Sequence, residues 1–254
     1  MPLFSRAAAA SPQNEVRRAR LIRALGKATT LCAVAWAWGT VSMTGVAHGR
    51  PITRADLCVT LGAVAALPDG RMSVTVPKMR AFVLPPTSPA ADVRFTYNGP
   101  SIESIPLGSG QMRRQFGLKL RAQDSCNLVY VMWRIVPRAQ LVVSIKRNPG
   151  KHTHAQCGTN GYLNLRPDRM TALPALRAGG SHGLRADIQD RTLRVLVDGA
   201  QAWVGNLGAQ SQSFDGPIGV RSDNVNVTFA VDASVTAAPG NAIHSCPTGP
   251  VQED

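Results

Sequence analysis

The chain has 254 residues, and its composition limits the fold classes that it can adopt. Hydrophobic residues make up 44% of the sequence and charged residues 17%, so the chain can bury a substantial core but is too poor in charge for a charge-rich disordered protein. It contains 23 Gly and 18 Pro residues, which disfavours a long helical bundle and favours short strands and loops. We therefore expect one β-rich domain of ordinary size or two small ones.

Positive charge is concentrated near the N-terminus, although the whole chain has a formal net charge of +13. Residues 1–47 contain six basic residues and one acidic residue, which leaves 22 basic and 14 acidic residues, a net charge of +8, for the remainder. A basic run at 17–27 precedes a stretch at 28–47 that carries no charge. This order is typical of an export signal. We predict a signal peptide, with the alternative of an uncleaved anchor, because twenty residues can span a bilayer.

Cysteine usage also indicates a periplasmic or extracellular location. Cys32 lies in the export segment, and four cysteines remain after it. An even number of cysteines in an oxidising compartment indicates two disulfides, and four cysteines allow three pairings. We predict Cys126–Cys157, which closes a loop in the middle of the chain, and Cys58–Cys246, because the two ends of a compact domain often lie close together.

The sequence after the export segment is dominated by a period of two residues. Between residues 115 and 123, Phe116, Leu118, Leu120 and Ala122 alternate with the polar stripe of Gln115, Lys119, Arg121 and Gln123. We predict a strand whose apolar face packs in the core and whose polar face contacts solvent. Similar patterns predict strands at 72–76, 80–84, 93–97, 127–135, 141–147, 162–165, 183–188, 192–197, 202–204, 217–221 and 225–231. About a dozen strands and no convincing amphipathic helix indicate an all-β, antiparallel two-sheet β-sandwich.

The chain divides into four predicted segments. The export segment covers 1–47, a poorly patterned N-terminal extension covers 48–71, the β-sandwich covers 72–236, and a loose tail covers 237–254. The proline-rich stretch at 85–89 is predicted to be a loop within the sandwich domain, because strand-like sequence lies on both sides of it.

A resemblance to a known family appears near the C-terminus. The stretch LRVLVDGAQAW at 193–203 has an Asp-Gly pair between two strand-like runs, which favours a tight hairpin turn. It is followed by DGPIGVR at 215–221. Together these motifs resemble the closing hairpins of concanavalin A-like domains, the jelly roll shared by laminin G-like modules, legume lectins and several polysaccharide-active enzymes. The resemblance covers residues 180–232 and implies the fold but no single function, because this architecture hosts many activities.

The polar stripe is also the basis of a predicted binding site. If neighbouring strands lie beside it, cationic and aromatic side chains collect on one face of the sheet. The predicted ligand-binding residues are Lys119, Arg121, Tyr130, Arg134, Lys146, His152 and His154. Arg and Lys bind carboxylate, sulfate or phosphate groups, and Tyr can stack on a sugar. The alternative is a solvated sheet face without a ligand.

Two further groups of residues have the chemistry of metal ligands. His152 and His154 precede Cys157, as in a fragment of a zinc site, but we expect Cys157 to be oxidised. The second group consists of Asp215, Asp223, Asn224 and Asn226, whose oxygens could bind Ca²⁺. We expect turn chemistry and an ion pair between Arg221 and Asp223 here instead, with calcium as the alternative, and we expect no cofactor.

The acidic residues restrict the possible reactions. After residue 47 the only glutamates are Glu103 and Glu253, which disfavours a glycosidase that uses a carboxylate pair. The sequence predicts an exported, non-catalytic module that binds a saccharide or another anionic polymer of the envelope, and no nucleic-acid partner. A polysaccharide lyase, which uses Tyr or His with Arg, Asn or Gln, and a structural or protein-interaction domain of the cell envelope are the alternatives.

Overall fold

The computed structural model describes residues 49–236 and Cys246, so the predicted export segment and most of the predicted tail lie outside the described residues. The strands of the first half are β1 (Arg50–Ile52), β2 (Leu57–Leu61), β3 (Ala65–Ala66), β4 (Met72–Val74), β5 (Lys78–Val83), β6 (Thr87–Pro100), β7 (Arg114–Leu120) and β8 (Leu128–Val136). Those of the second half are β9 (Gln140–Lys146), β10 (Tyr162–Asn164), β11 (Arg169–Met170), β12 (Gly180–Gln189), β13 (Thr192–Val197), β14 (Ala200–Asn206), β15 (Gly219–Asp223) and β16 (Val225–Val235). The helices are α1 (His154–Cys157) and two 3-10 turns at Arg54–Asp56 and Ala209–Ser213.

The strands form two antiparallel sheets. The nine-stranded sheet has the order β11-β14-β13-β12-β6-β16-β4-β3, with β1 paired to β16. The seven-stranded sheet has the order β10-β9-β8-β7-β15-β5-β2. This arrangement confirms the predicted antiparallel two-sheet β-sandwich. No helix in the described part of the chain is long and apolar enough to cross a membrane.

Alternating side chains from both sheets build the core between them. Along β16, every second residue from Val225 to Ala233 is buried, as the period of two requires. Phe116 of the seven-stranded sheet lies 5.0 Å, between ring centroids, from Phe95 and 5.5 Å from Phe229, both in the nine-stranded sheet. These tilted aromatic contacts join the two sheets across the core.

Residues with positive φ angles make two connections that position the closing strands. Asp198 and Gly199 have φ angles of 51° and 81°, which confirms the predicted tight hairpin, here between β13 and β14. Asn224 has a φ angle of 55° and lies between β15 and β16. At this residue the chain passes from the seven-stranded to the nine-stranded sheet.

Two stretches contain more strand than their local patterns indicate. The segment at 48–71, predicted as an N-terminal extension, contributes β1, β2 and β3 to the sheets. Strand β6 begins at Thr87, so most of the predicted loop at 85–89 is strand. Pro89 is tolerated because it precedes Ala90, where pairing with β12 begins, and lies where the register with β16 shifts. In β1, β2 and β6, pairing with strands that are not neighbours in the sequence outweighs local sequence preference.

Both predicted disulfides are confirmed. Cys126 is bonded to Cys157, and Cys58 is bonded to Cys246. The first bond links the β7–β8 connection to α1 across 31 residues. The second joins β2 to the C-terminal part of the chain across 188 residues.

Candidate functional site

The polar side of β7 is largely buried, so the prediction of a solvated face is wrong. The exposed fraction is 2% for Gln115 and 4% for Lys119. An alternating pattern identifies the face that does not enter the core, but it does not establish that this face contacts water. Here the polar groups bond to one another, and residues 107–109 and 158–159 line a pocket together with this face.

Asp223 is the centre of the buried polar network. Its carboxylate accepts hydrogen bonds from Arg80 Nη2 at 2.6 Å, from Gln115 Nε2 at 2.6 Å and from Arg221 Nε at 2.9 Å. The ion pair predicted between Arg221 and Asp223 is therefore present. Burial alone would raise the pKa of Asp223, but the two guanidinium groups and the hydrogen bonds lower it well below its usual value.

Two tyrosines lie beside this network on the same face of the sheet. The rings of Tyr130 and Tyr162 are nearly parallel, with centroids 5.9 Å apart. The guanidinium carbon of Arg221 lies 4.9 Å from the ring centroid of Tyr130, and Lys146 Nζ lies 5.2 Å from that of Tyr162. Both distances are within the range of cation–π contacts.

The phenol of Tyr162 is acidified by its neighbours. Burial, the largest single influence, raises its pKa, but the positive charges of Arg221 and Lys146, with hydrogen bonds from Arg221 and Tyr130, lower it overall. Arg221 Nη1 donates to the Tyr162 hydroxyl at 3.5 Å. The site therefore favours a phenolate at Tyr162 more than water does.

These residues surround a pocket of about 220 Å³ on the seven-stranded sheet. Its polar walls include Arg113, Gln115, Ser144, His154, Tyr162, Asn164 and Arg221. Met132 and Val142 contribute apolar surface, and Tyr130 also lines the pocket. The combination of a few polar groups with apolar surface is typical of sites that bind small molecules.

Arg113 and Gln115 have unused binding capacity. Arg113 donates to the Gln111 side chain at 2.9 Å and, within residues 49–236, makes no ion pair. Burial and the nearby charge of Arg221 lower its pKa. The Oε1 atom of Gln115 is buried and has no hydrogen-bond partner among the described residues. Both residues line the pocket.

This face of the sheet carries the predicted residues Lys119, Tyr130 and Lys146, whereas His154 lies in α1. Tyr130 and His154 line the pocket, whereas Lys119 and Lys146 are buried on the face that bears it. Lys146 Nζ donates to the backbone oxygen of Ser125 at 3.0 Å, which holds this ammonium group away from solvent.

The other three predicted residues do not line the pocket. Arg134 is paired with Gln115 in the register of β7 and β8 but lies outside the pocket lining. Arg121 has a φ angle of 48° and donates to backbone oxygens of Ser211 and Asp190 at the end of β7. His152 is directed to Asp124, with Nδ1 2.9 Å from Oδ2.

Sequence reasoning missed Arg113 as a site residue and used Gln115 only to define the stripe. Arg113 precedes β7, and the register of β7 with β8 shifts between Arg114 and Gln115, so the alternation of the strand did not indicate the position of Arg113. The position of Arg221 was not predictable from that alternation either, because it depends on the pairing of β15 with β7, where Arg221 lies opposite Gly117.

The structure arranges neither of the two candidate ligand groups as a metal site within the described residues. Cys157 is disulfide-bonded, and α1 rather than a strand contains His154. Asp223 is occupied by three donors, and the Asn224 side chain is bonded to the backbone of Ile105 and Arg113. The described residues contain no group of three or more His, Cys, Asp or Glu side chains arranged to hold a metal ion.

Comparison with known proteins reveals similarity of fold only. No protein-family model matches the chain, and no curated protein matches it. The carbohydrate-binding module CBM66 of Bacillus subtilis is 9% identical with a TM-score of 0.49, over 70% of this chain and 94% of that chain. An endo-acting O-glycanase from the human gut microbiota is 11% identical with a TM-score of 0.45, over 76% of this chain and 97% of that chain. The metal-free carbohydrate recognition domain of Emp46p is 13% identical with a TM-score of 0.43, over 72% of this chain and 90% of that chain.

Proposed function

We propose that the protein is an exported binding module that recognises a saccharide in the pocket on the seven-stranded sheet. One observation carries this proposal: among the described residues, the pocket combines an Arg113 guanidinium that makes no ion pair with a buried Gln115 acceptor that has no hydrogen-bond partner. A ligand that fills it must supply hydrogen-bond donors as well as acceptors. The hydroxyl groups of sugars supply both.

The remaining walls suit the same class of ligand. Ser144 and Asn164 can donate and accept hydrogen bonds, while Met132 and Val142 provide apolar surface for the C–H groups of a sugar ring. The Tyr130 ring has the Arg221 guanidinium over it. We therefore assign recognition to hydrogen bonds and charge rather than to the stacking on Tyr130 that the sequence suggests.

The proposed location is the periplasm or the cell exterior. The two disulfides support it, because such bonds persist in oxidising compartments. The N-terminal segment at 1–47 serves, on this proposal, as a signal peptide. The net charge of +8 in the remainder favours association with anionic polymers of the envelope.

A glycan array tests the proposal directly. Protein purified from cells that express the full chain is applied to neutral and acidic glycans, beside Arg113→Gln and a matched control, Arg138→Gln. Arg138 bonds to Gln140 and is not part of the pocket. We expect a defined set of glycans to be bound by the unchanged protein and the control, and bound weakly by Arg113→Gln. If the unchanged protein binds none of the glycans, the proposal is contradicted.

A second candidate function, elimination at a uronate, is favoured by the lowered pKa of Tyr162. A Tyr162 phenolate would take the proton from the carbon next to the uronate carboxylate, while Arg113 pairs with that carboxylate. The electron pair would form a carbon–carbon double bond as the neighbouring glycosidic C–O bond breaks, and the leaving oxygen would take a proton from water.

Product absorbance separates the two candidates. Unsaturated uronates absorb in the ultraviolet, so a rise in absorbance with alginate, pectin or a glycosaminoglycan would establish elimination. In that case Tyr162→Phe should abolish the rise without abolishing binding. If the protein binds but produces no rise in absorbance with any of the three polymers, the result supports the non-catalytic module and excludes elimination on these polymers.

A further inference from the structure

We infer that the pocket binds a single uronate unit, with the sugar carboxylate on Arg113 and a sugar hydroxyl donating to Gln115 Oε1. This inference rests on the proposed function and specifies the class of ligand at the same site. It follows from the orientation of one amide, the local balance of charge and the size of the pocket.

The orientation of the Gln115 amide is determined by chemistry. Its Nε2 atom donates to Asp223 Oδ2 at 2.6 Å, and a rotated amide would place its carbonyl oxygen against that carboxylate. The carbonyl oxygen therefore stays on the other side, where it is buried and has no partner among the described residues. A buried acceptor without a donor is costly, so a ligand that supplies a hydroxyl here gains affinity.

The charges around the pocket favour an anion. Asp223 is shared by the two guanidinium groups of Arg80 and Arg221, so this cluster retains one positive charge. Arg113 adds a further cation. Within residues 49–236, its guanidinium donates hydrogen bonds only to the Gln111 side chain, which is neutral. A planar carboxylate matches the paired N–H groups of a guanidinium.

The two requirements together exclude simpler ligands. A sulfate ion would satisfy Arg113, but it has no proton to donate to Gln115 Oε1. A neutral hexose would satisfy Gln115 and would leave Arg113 without an anion. A uronate has the carboxylate and the hydroxyl groups on one ring, so it can satisfy both residues at the same time.

The size of the pocket indicates one sugar unit. Its volume of about 220 Å³ is below the range of about 300–1,000 Å³ typical of drug-sized ligands. Residues 107–109 and 158–159 also line it. The uronate is therefore a single residue of a polymer or its end, with the neighbouring sugars outside the pocket.

Titration calorimetry with the full-length expressed protein tests this inference. The probes are the methyl glycosides of glucuronate and galacturonate, the matching glucosides and galactosides, and inorganic sulfate. We expect at least one uronate to bind at least tenfold more tightly than its neutral counterpart and than sulfate. Arg113→Gln should remove this preference, whereas Arg138→Gln should keep it within twofold.

The outcomes distinguish this inference from the proposed function. Equal binding of uronate and neutral sugar, or of uronate and sulfate, would overturn the uronate assignment. Binding of neutral sugars alone would also overturn the uronate assignment, but it would agree with the proposed saccharide-binding function. If no saccharide binds here and the glycan array is also negative, both proposals fail.

Nuclear magnetic resonance tests the second contact independently. The side-chain carbonyl carbon of Gln115 should shift when a uronate is added, because Oε1 then accepts a hydrogen bond. The same shift is expected in Arg138→Gln. A uronate that binds without moving this resonance would overturn the assignment of the hydroxyl to Gln115.

Discussion

Arg221 Nε donates to Asp223 Oδ2 at 2.9 Å, and both side chains are buried on the face of the seven-stranded sheet that bears the pocket. The same guanidinium lies over the Tyr130 ring, and the same carboxylate orients the Gln115 amide. One buried ion pair therefore sets the positions of an aromatic ring and of an acceptor in the pocket.

Asp223→Asn should lower the free energy of unfolding by about 3–5 kcal/mol, because it leaves the buried guanidinium groups of Arg80 and Arg221 without a carboxylate. The matched control is Asp232→Asn. Asp232 pairs with an exposed Arg94 at 2.7 Å, and such pairs contribute about 1 kcal/mol or less. Denaturant unfolding measures both values. A loss for Asp223→Asn no larger than that for Asp232→Asn would contradict the prediction.

Low pH should decrease the free energy of unfolding through protonation of Asp223. The pKa of Asp223 is lower in the folded state than in the unfolded chain, so the folded state binds fewer protons. Its contribution to stability is fully present above about pH 4, the ordinary pKa of Asp, and is lost as the pH falls below that value. Unfolding curves between pH 7 and pH 2 should show this decline. Asp223→Asn should have a shallower dependence, and an unchanged slope would contradict the assignment.

Removal of the Cys126–Cys157 disulfide should weaken ligand binding as well as stability. This bond holds α1, whose His154 lines the pocket, against the β7–β8 connection. We expect the double Cys→Ser variant to lose about 2–4 kcal/mol of stability and a measurable part of its affinity. The Cys58–Cys246 double variant is the control, since neither residue lines the pocket. Equal losses of affinity in both variants would contradict the proposed role of α1.

Gly117→Ala should destabilise the seven-stranded sheet by more than 1 kcal/mol, of the order expected for overpacking. A Cβ atom at Gly117 would lie 2.1 Å from the backbone oxygen of Val131 on the neighbouring strand. Gly183 is the control, because a Cβ atom there meets nothing within 4 Å. Gly183→Ala should be neutral or slightly stabilising, since Ala has less conformational freedom in the unfolded chain. Thermal unfolding of the two variants compares them, and a similar midpoint for both would refute the steric argument.

The sandwich was predictable because strands and tight turns have recognisable patterns in the local sequence. Predicted strands at 192–197 and 225–231 correspond to β13 and β16, and the Asp-Gly pair adopts the expected positive φ angles. The strands at 50–66 were not predicted, because they are short and because β1 and β2 pair with strands that are not their neighbours in the sequence. Strand propensity depends on the residues of one segment, whereas strand pairing depends also on the strand with which that segment pairs.

The candidate site was predictable only in part. The alternation in β7 correctly separated the polar residues from the core, and Lys119, Tyr130 and Lys146 do share one face of the sheet. The burial of Tyr130 was not predicted, because Arg221, which lies over its ring, belongs to a strand that becomes the neighbour of β7 only in the folded chain.

The sequence by itself determined the period of two, the turn residues and the even number of cysteines after the export segment, because these features follow from local geometry and chemistry. Only the tertiary structure decided that the polar face of β7 is buried and forms a pocket. Gln115 and Asp223 are separated by 108 residues in the chain. Their contact depends on strand order and register across the whole sheet, and no local pattern contains that information.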